Sequence, residues 1–381
     1  MRQHKGTVKR SQSGFIIDPQ LYIVGLGLII CGVIVVFSSS VFVSNKHYQM
    51  PFYFAIRHLV HLAMALVFFV IANKIPVEFY QRNKALLLLL TLLCLVIVLV
   101  PGMGPEIKGA KRWLRLPGFM IQTSDIAKLL IIIWMSAFYH HTQTSHTQQS
   151  NRWYIPLCLL MICDVLLLLQ PDMGSAVVLT CIVLHIMFVA GVQLVFFIQL
   201  GLSMTLSGIM AIMLAPYRVA RITAFLDPWR YALGSGYQLT QSLMAIGRGG
   251  AFGVGAGKGL HKAFYLPEAH TDFVFSMLCE EFGLVTGLAV LAAFVFITLK
   301  ILYWSWQFSR ARQYFYAYYS AGFACWIGAQ SIISISVNVG LLPTKGLVLP
   351  FMSYGGTHMI IFAYAAGVFN QCLAKINKHR K

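Results

Sequence analysis

Charge is what this 381-residue chain has least of: only 10% of its residues are Asp, Glu, Lys or Arg, where soluble domains carry about 25%. Acids are the scarcer sign, 11 against 29 Lys and Arg, which leaves a net charge of +18. A chain that is 58% hydrophobic with mean hydropathy +0.74 is no ordinary soluble domain. Metal and redox frameworks are missing too. The eight cysteines have neither CxxC nor zinc-ligand spacing and read as small buried side chains. No HExxH occurs; His58 and His61 share a helix face and His140, His141 and His146 share a loop, which reads as structural or solvated histidine. No cofactor is identified, and a divalent cation, magnesium or manganese, is left open. The basic excess lies between apolar runs rather than in one domain, which favours anionic membrane lipid as its partner over nucleic acid.

What is present is a series of long apolar runs. A bilayer core needs about 20 apolar residues per helix, and ten segments qualify: Leu21–Val43, Phe54–Ala72, Ala85–Val100, Ile121–Tyr139, Tyr154–Leu169, Gly174–Val192, Leu194–Ala215, Asp272–Leu299, Phe315–Ser336 and Phe351–Ala374. The expected fold is an all-α polytopic integral membrane protein forming a single domain. The first run is longer than a signal-peptide core and lacks a cleavage site, so it is expected to stay as a span. Ten spans put both termini on one side. The basic tails, residues 1–20 and 375–381, with Arg2, Lys5, Lys9 and Arg10 at one end and Lys375, Lys378, Arg380 and Lys381 at the other, argue that this side is cytoplasmic. The long connection 216–271 is then extracytoplasmic, and its length marks it as functional. It carries Arg218, Arg221, Arg230, Arg248, Lys258 and Lys262, and a second outer group is Lys108, Lys111, Arg112 and Arg115. Cations that oppose the usual topology signal suit a phosphate-bearing ligand or lipid headgroups.

In "PEAHTDFVFSMLCEEFG", Asp272, Ser276, Cys279 and Gly283 lie within about 40° of one another on a helix, with Glu280 about 80° round and Glu281 opposite. A small polar face thus carries a carboxylate at its outer end, where water and apolar walls suit a general base. Capping of the helix is the alternative for Asp272, and Glu268 and His270 either tune it or cap. In "IQTSDIAKLL", Asp125 and Lys128 share a face and predict an intramembrane ion pair, structural or coupled to substrate. The segment "AIGRGGAFGVGAGKG" fails as a phosphate loop, having Phe252 in place of the first glycine and Gly259 after the lysine. Its amides, with Arg248 and Lys258, either wrap a pyrophosphate or belong to a pliable surface loop. Asp164 within the fifth span, and Gln170 and Asp172 at its outer end, add polar groups on the same side.

Taken in order, "KGAKRWL", "QTSDIAK", "QPDMGSA", "RITAFLDPW", "GYQLTQSLMAIGRGGAFGVGAGKG", "LPEAHTDFVFSMLCEEFG" and "LLPTKGLVLPFMSYGG" resemble the SEDS family of bacterial cell-wall polymerases over nearly the whole chain. The "PTKG" is closer to the FtsW branch than to the RodA branch. The resemblance implies a peptidoglycan glycosyltransferase that polymerises lipid II at the outer face of the bacterial cytoplasmic (inner) membrane. It further implies a class B penicillin-binding protein as transpeptidase partner and a place among other division proteins at the septum. It puts the family's essential acid on Asp272, its fourth-span acid and lysine on Asp125 and Lys128, and its loop arginine on Arg221. With the loop cations, Arg221, Lys258 and Arg248 are expected to steady the lipid pyrophosphate, beside Glu268 and His270. Two departures stand out: "QTSD" where the family commonly has "QPSE", and Thr357–His358 where it has two small hydroxyl residues.

Transfer to a sugar hydroxyl needs one base and cations for a diphosphate, whereas a glycosidase normally needs a second carboxyl as acid. Two other classes compete: a lipid II flippase with a path along Asp125, Lys128, Asp164 and Glu280, and a division scaffold without chemistry.

Overall fold

The computed structural model describes residues 18–107, 109–116, 119–144, 153–198, 201, 219 and 223–379. Lys108, Arg218, Arg221, His146, most of the expected span Leu194–Ala215 and the basic ends, residues 1–17 and 380–381, lie outside the described residues. Helices dominate: α1 (Pro19–Tyr48), α2 (Tyr53–Lys74), α3 (Val77–Arg82), α4 (Lys84–Ile97), α5 (Thr123–Thr144), α6 (Tyr154–Leu169), α7 (Met173–Val189), α8 (Tyr237–Gly249), α9 (Val274–Arg310), α10 (Tyr314–Asn338) and α11 (Gly356–His379). Five of these, α1, α2, α9, α10 and α11, are long and apolar enough to cross a bilayer.

Those five divide by surroundings. The most apolar stretches of α1, α2 and α9 are 22%, 22% and 28% buried, against 72% for α10 and α11, so α10 and α11 form the middle and the other three present apolar faces outward. α10 packs on α5, α7 and α9, and α11 lies along α2. The interior is filled by Trp326, Tyr319 and Phe323 of α10, Phe362 of α11 and Ile131–Ile133 of α5. α1 begins where Asp18 accepts from the amide of Gln20 at 3.2 Å and Pro19 takes the first position, a usual helix start. Asp18 also accepts from Trp304 Nε1 at 2.8 Å, which ties this start to the C-terminal part of α9.

The all-α expectation needs one correction. Trp113–Leu116 (β1) and Phe119–Gln122 (β2) form an antiparallel hairpin, with Trp113 opposite Gln122 and Arg115 opposite Met120. The strands flank Pro117–Gly118, a turn-forming pair, and α5 therefore starts at Thr123 rather than Ile121. The last span also starts later than expected, at Gly356. The chain before it, from Leu341 to Gly355, is non-helical and turns inward, burying Leu347, Leu349 and Met352. α9 runs on past the expected Leu299 to Arg310.

Candidate functional site

One cavity of about 410 Å³ gathers most of the polar chemistry. Its lining includes three acids, Asp125, Glu268 and Asp272, and three cations, Arg112, Lys128 and Lys345, together with Gln122, Gln238, Gln330, Tyr354 and His358. These come from the approach to β1, from β2, α5, α8, α10 and α11, from the turn ahead of α9, and from the inward-turning segment ahead of α11.

Asp272 is half-buried just before α9, one residue ahead of its N-cap position, Phe273. Its backbone is held at both ends. Its amide donates to Glu268 O at 3.1 Å, and its carbonyl accepts from Asn338 Nδ2 at 3.0 Å. Glu268 adopts φ 57° and its carboxylate accepts from Thr271 Oγ1 at 2.8 Å, which tightens the turn that presents Asp272. Gly346 completes the arrangement. A Cβ there would sit 2.7 Å from Asp272 Oδ2, so a side chain at this position would force the carboxylate or the segment to shift. Lys345, the neighbour of Gly346, lines the same cavity.

Arg112 is fixed from behind: its guanidinium donates to Gln170 O at 3.4 Å and to Pro171 O, and lies 3.9 Å from Asp172. Asp172 in turn caps α7 through Ser175 N at 3.3 Å and accepts from Gln122 Nε2 at 3.3 Å. The polar turn between α6 and α7 thus supports the hairpin. At the cavity floor the ion pair expected from the Asp125 and Lys128 spacing is present, Nζ to Oδ1 at 2.7 Å, with both side chains about 98% or more out of solvent. His358 Nδ1 reaches the other oxygen of Asp125 at 2.9 Å.

The residues expected to join Asp272 from the long loop are placed elsewhere. Arg248 pairs with Glu280 at 2.8 Å, Lys262 pairs with Glu281 at 2.7 Å, and Lys258 is exposed; none of the three lines the cavity. The glycine segment does wrap anions, but they are the chain's own. Gly257 N donates to Glu281 Oε2 at 3.0 Å, Leu260 N to Glu280 Oε1 at 2.9 Å, and His261 Nδ1 lies 2.9 Å from the same oxygen. Ser38 of α1 closes the clasp, bonding Glu281 at 2.6 Å and accepting from Lys262 at 2.7 Å. His270 does not line the cavity either; its ring packs, tilted, against Phe54, at 4.8 Å, and Tyr354, at 5.7 Å. Arg221 lies outside the described residues.

The cations that do face the cavity with Asp272 were legible only in part. Arg112 belongs to the outer basic group, while Lys345 stands out only as the lysine of "PTKG"; a lysine interrupting an apolar stretch is the available signal. Only two of the four residues of the transport path share this cavity: Asp125 and Lys128 line it, whereas Glu280 is enclosed by the glycine segment, and Asp164 accepts from Thr180 between α6 and α7 at 2.9 Å. Among the described residues no group of three or more His, Cys, Asp or Glu side chains could hold a metal ion.

A family model described as cell cycle protein, covering FtsW, RodA and SpoVE, matches residues 19–381. The probable peptidoglycan glycosyltransferase FtsW of Coxiella burnetii is 39% identical over 360 residues, 94% of this chain and 97% of that protein. The protein of the same name from Methylomonas methanica is 41% identical over 355 residues, 93% and 91% of the two chains. Among solved structures, a chain of a peptidoglycan synthase complex that coordinates polymerization and crosslinking superposes with TM-score 0.77 at 24% identity, covering 95% of this chain and 99% of that one. RodA of Thermus thermophilus superposes with TM-score 0.67, also at 24% identity, over 94% and 96% of the two chains. At that identity both structures bear on the fold alone. With a family match from residue 19 to the last residue and relatives near 40% identity over almost its whole length, the chain belongs to the FtsW, RodA and SpoVE family.

Proposed function

We propose that the chain is a peptidoglycan glycosyltransferase that polymerises lipid II, with Asp272 as general base. The observation that carries this reading is the shared cavity, in which Asp272 and Glu268 meet Arg112, Lys345 and Lys128. Asp272 takes the proton of the acceptor sugar's hydroxyl, that oxygen attacks the donor's anomeric carbon, and the bond to the lipid diphosphate breaks. A single in-line displacement inverts the anomeric centre. The diphosphate leaves as an anion, so cations serve it better than an acid; Arg112 and Lys345 take the part first expected of Arg248 and Lys258. Arg221 keeps the pyrophosphate role that the family resemblance gives it.

In this reading the chain crosses the cytoplasmic membrane of a bacterium ten times with both termini inside, and residues 216–271 lie outside. It works at the division septum with a class B penicillin-binding protein and other division proteins. Support for the partner comes from the similar chain solved within a synthase complex. The flippase reading is less favoured, because its four residues are dispersed over separate polar groups.

The test is reconstitution with lipid II, with and without the transpeptidase. Wild type is expected to form glycan chains, and Asp272→Asn to lose about 100-fold or more of the rate while staying folded. Undiminished polymer from that variant removes Asp272 as the base. Absence of polymer even with the partner, alongside lipid II crossing vesicles, turns the reading to transport.

A further inference from the structure

The cavity floor holds a closed hydrogen-bond ring whose donors and acceptors can be assigned one by one. Gln330 Oε1 faces two groups that can only donate, Trp326 Nε1 at 2.8 Å and Lys128 Nζ at 3.4 Å. Its other amide atom is therefore the nitrogen, which donates to Val348 O at 2.9 Å and to His358 Nε2 at 3.1 Å. An accepting Nε2 leaves the ring proton on Nδ1, which donates to Asp125 Oδ2 at 2.9 Å. Asp125 Oδ1 takes Lys128 at 2.7 Å and closes the ring. Lys128 has three N–H groups. Two are engaged, by Asp125 and Gln330; the third meets no protein oxygen or nitrogen among the described residues, with only the Trp326 ring nearby at 5.4 Å, while Lys128 lines the cavity.

We propose that His358 is a positioning residue that, by holding Asp125 and Gln330 in this ring, aims the third N–H of Lys128 at a phosphate oxygen of the substrate. The proposal rests on the diphosphate-linked substrate proposed above. Its physical basis is that an ammonium 1% exposed is costly to keep unsatisfied, and both acceptors that steer it are themselves steered by His358. Without the imidazole, Asp125 and Gln330 each lose one fixed contact, and Lys128 can swing to satisfy itself within the protein.

Three variants separate the two ends of the ring. His358→Asn places an amide nitrogen near the Nδ1 position and can keep the bond to Asp125. His358→Gln places its amide near Nε2 and cannot reach Asp125, and His358→Ala loses both. For the full chain with its transpeptidase and lipid II, KM is expected to rise about 10-fold for Ala and Gln and to stay within about threefold of wild type for Asn, with kcat little changed. In a Lys128→Met background, His358→Ala should add no further rise, the coupling expected of residues acting through one group. Equal KM values in all three variants, or additive effects with Lys128→Met, overturn the proposal, whatever the thermal stabilities. Inorganic pyrophosphate binding to the purified chain, followed by calorimetry, gives the comparison without polymerisation. An unchanged pyrophosphate Kd in His358→Ala overturns the proposal; a weakened one restored by Asn supports it even where wild type makes no polymer, an outcome that would count against the glycosyltransferase reading instead.

Discussion

Two pairs of acids stand within one stretch of chain, and their surroundings are opposite. Glu280 and Glu281 are buried, and amides, hydroxyls and cations of the same chain occupy their oxygens. Glu268 and Asp272 are half-buried and line a cavity. Carboxylates enclosed in this way are anchors, because removing a partner leaves an uncompensated charge in a dry place. An acid on a cavity wall, held by its backbone, is available to a substrate. Position along the helix separates the two kinds less clearly than where the surrounding amides point.

Disturbing the enclosed pair should have the largest effect. Lys262→Met leaves Glu281, whose side chain is 1% exposed, without its cation, and should cost about 3–5 kcal/mol of stability. Thermal unfolding in detergent reads that loss; polymerisation per folded molecule should hold. Gly346→Ala acts on the other side of the contrast. The added methyl group pushes on Asp272 Oδ2 and should lower the polymerisation rate by about 10- to 100-fold with little change in thermal unfolding. Reversed outcomes, a stable Lys262→Met or an inactive but much less stable Gly346→Ala, would erase the distinction. The smallest effect belongs to an exposed pair that is neither enclosed nor in the cavity. Lys375 hydrogen-bonds Glu78 on α3 and holds its carboxyl below the ordinary glutamate value. A lowered folded pKa means the contribution is present in full above that ordinary value and is lost as pH falls through the lowered one. Glu78→Gln should therefore change stability by no more than about 1 kcal/mol at neutral pH, and the difference should vanish in acid and fade with salt.

Most helices were legible because a long apolar run leaves little choice of structure. α1, α2, α6 and α10 begin within two residues of where the runs do. α9 outran its expected end at Leu299, and the ammonium of the next residue, Lys300, bonds Gln20 at 2.7 Å and pairs with Asp18. The hairpin lay in the connection expected to be an outer basic loop, with only Ile121 and Gln122 inside a run expected to be helix, although Pro117–Gly118 was a turn signal. For the site, the short-range facts were readable: the Asp125–Lys128 pair follows from helical spacing, and Asp272 from its place at the head of an apolar run. The long-range ones were not. That the glycine amides meet Glu280 and Glu281, that Lys345 and Gly346 fold back to Asp272, and that His358 bonds Asp125 depend on contacts between distant segments, which no local pattern encodes.

α9 has one break, at Gly283 (φ 84°), and the loop before α9 grips it on both sides: Val254 and Gly255 donate to the carbonyls of Glu280 and Glu281, and Leu284 and Val285 donate to those of Gly250 and Ala251. A shaft jointed and collared at one point does not pass its tilt along its length. The short section ahead of Gly283, and the acid just beyond it, therefore takes its bearing from the loop that grips the joint as well as from the long section behind it, as a compass card takes its level from the gimbal.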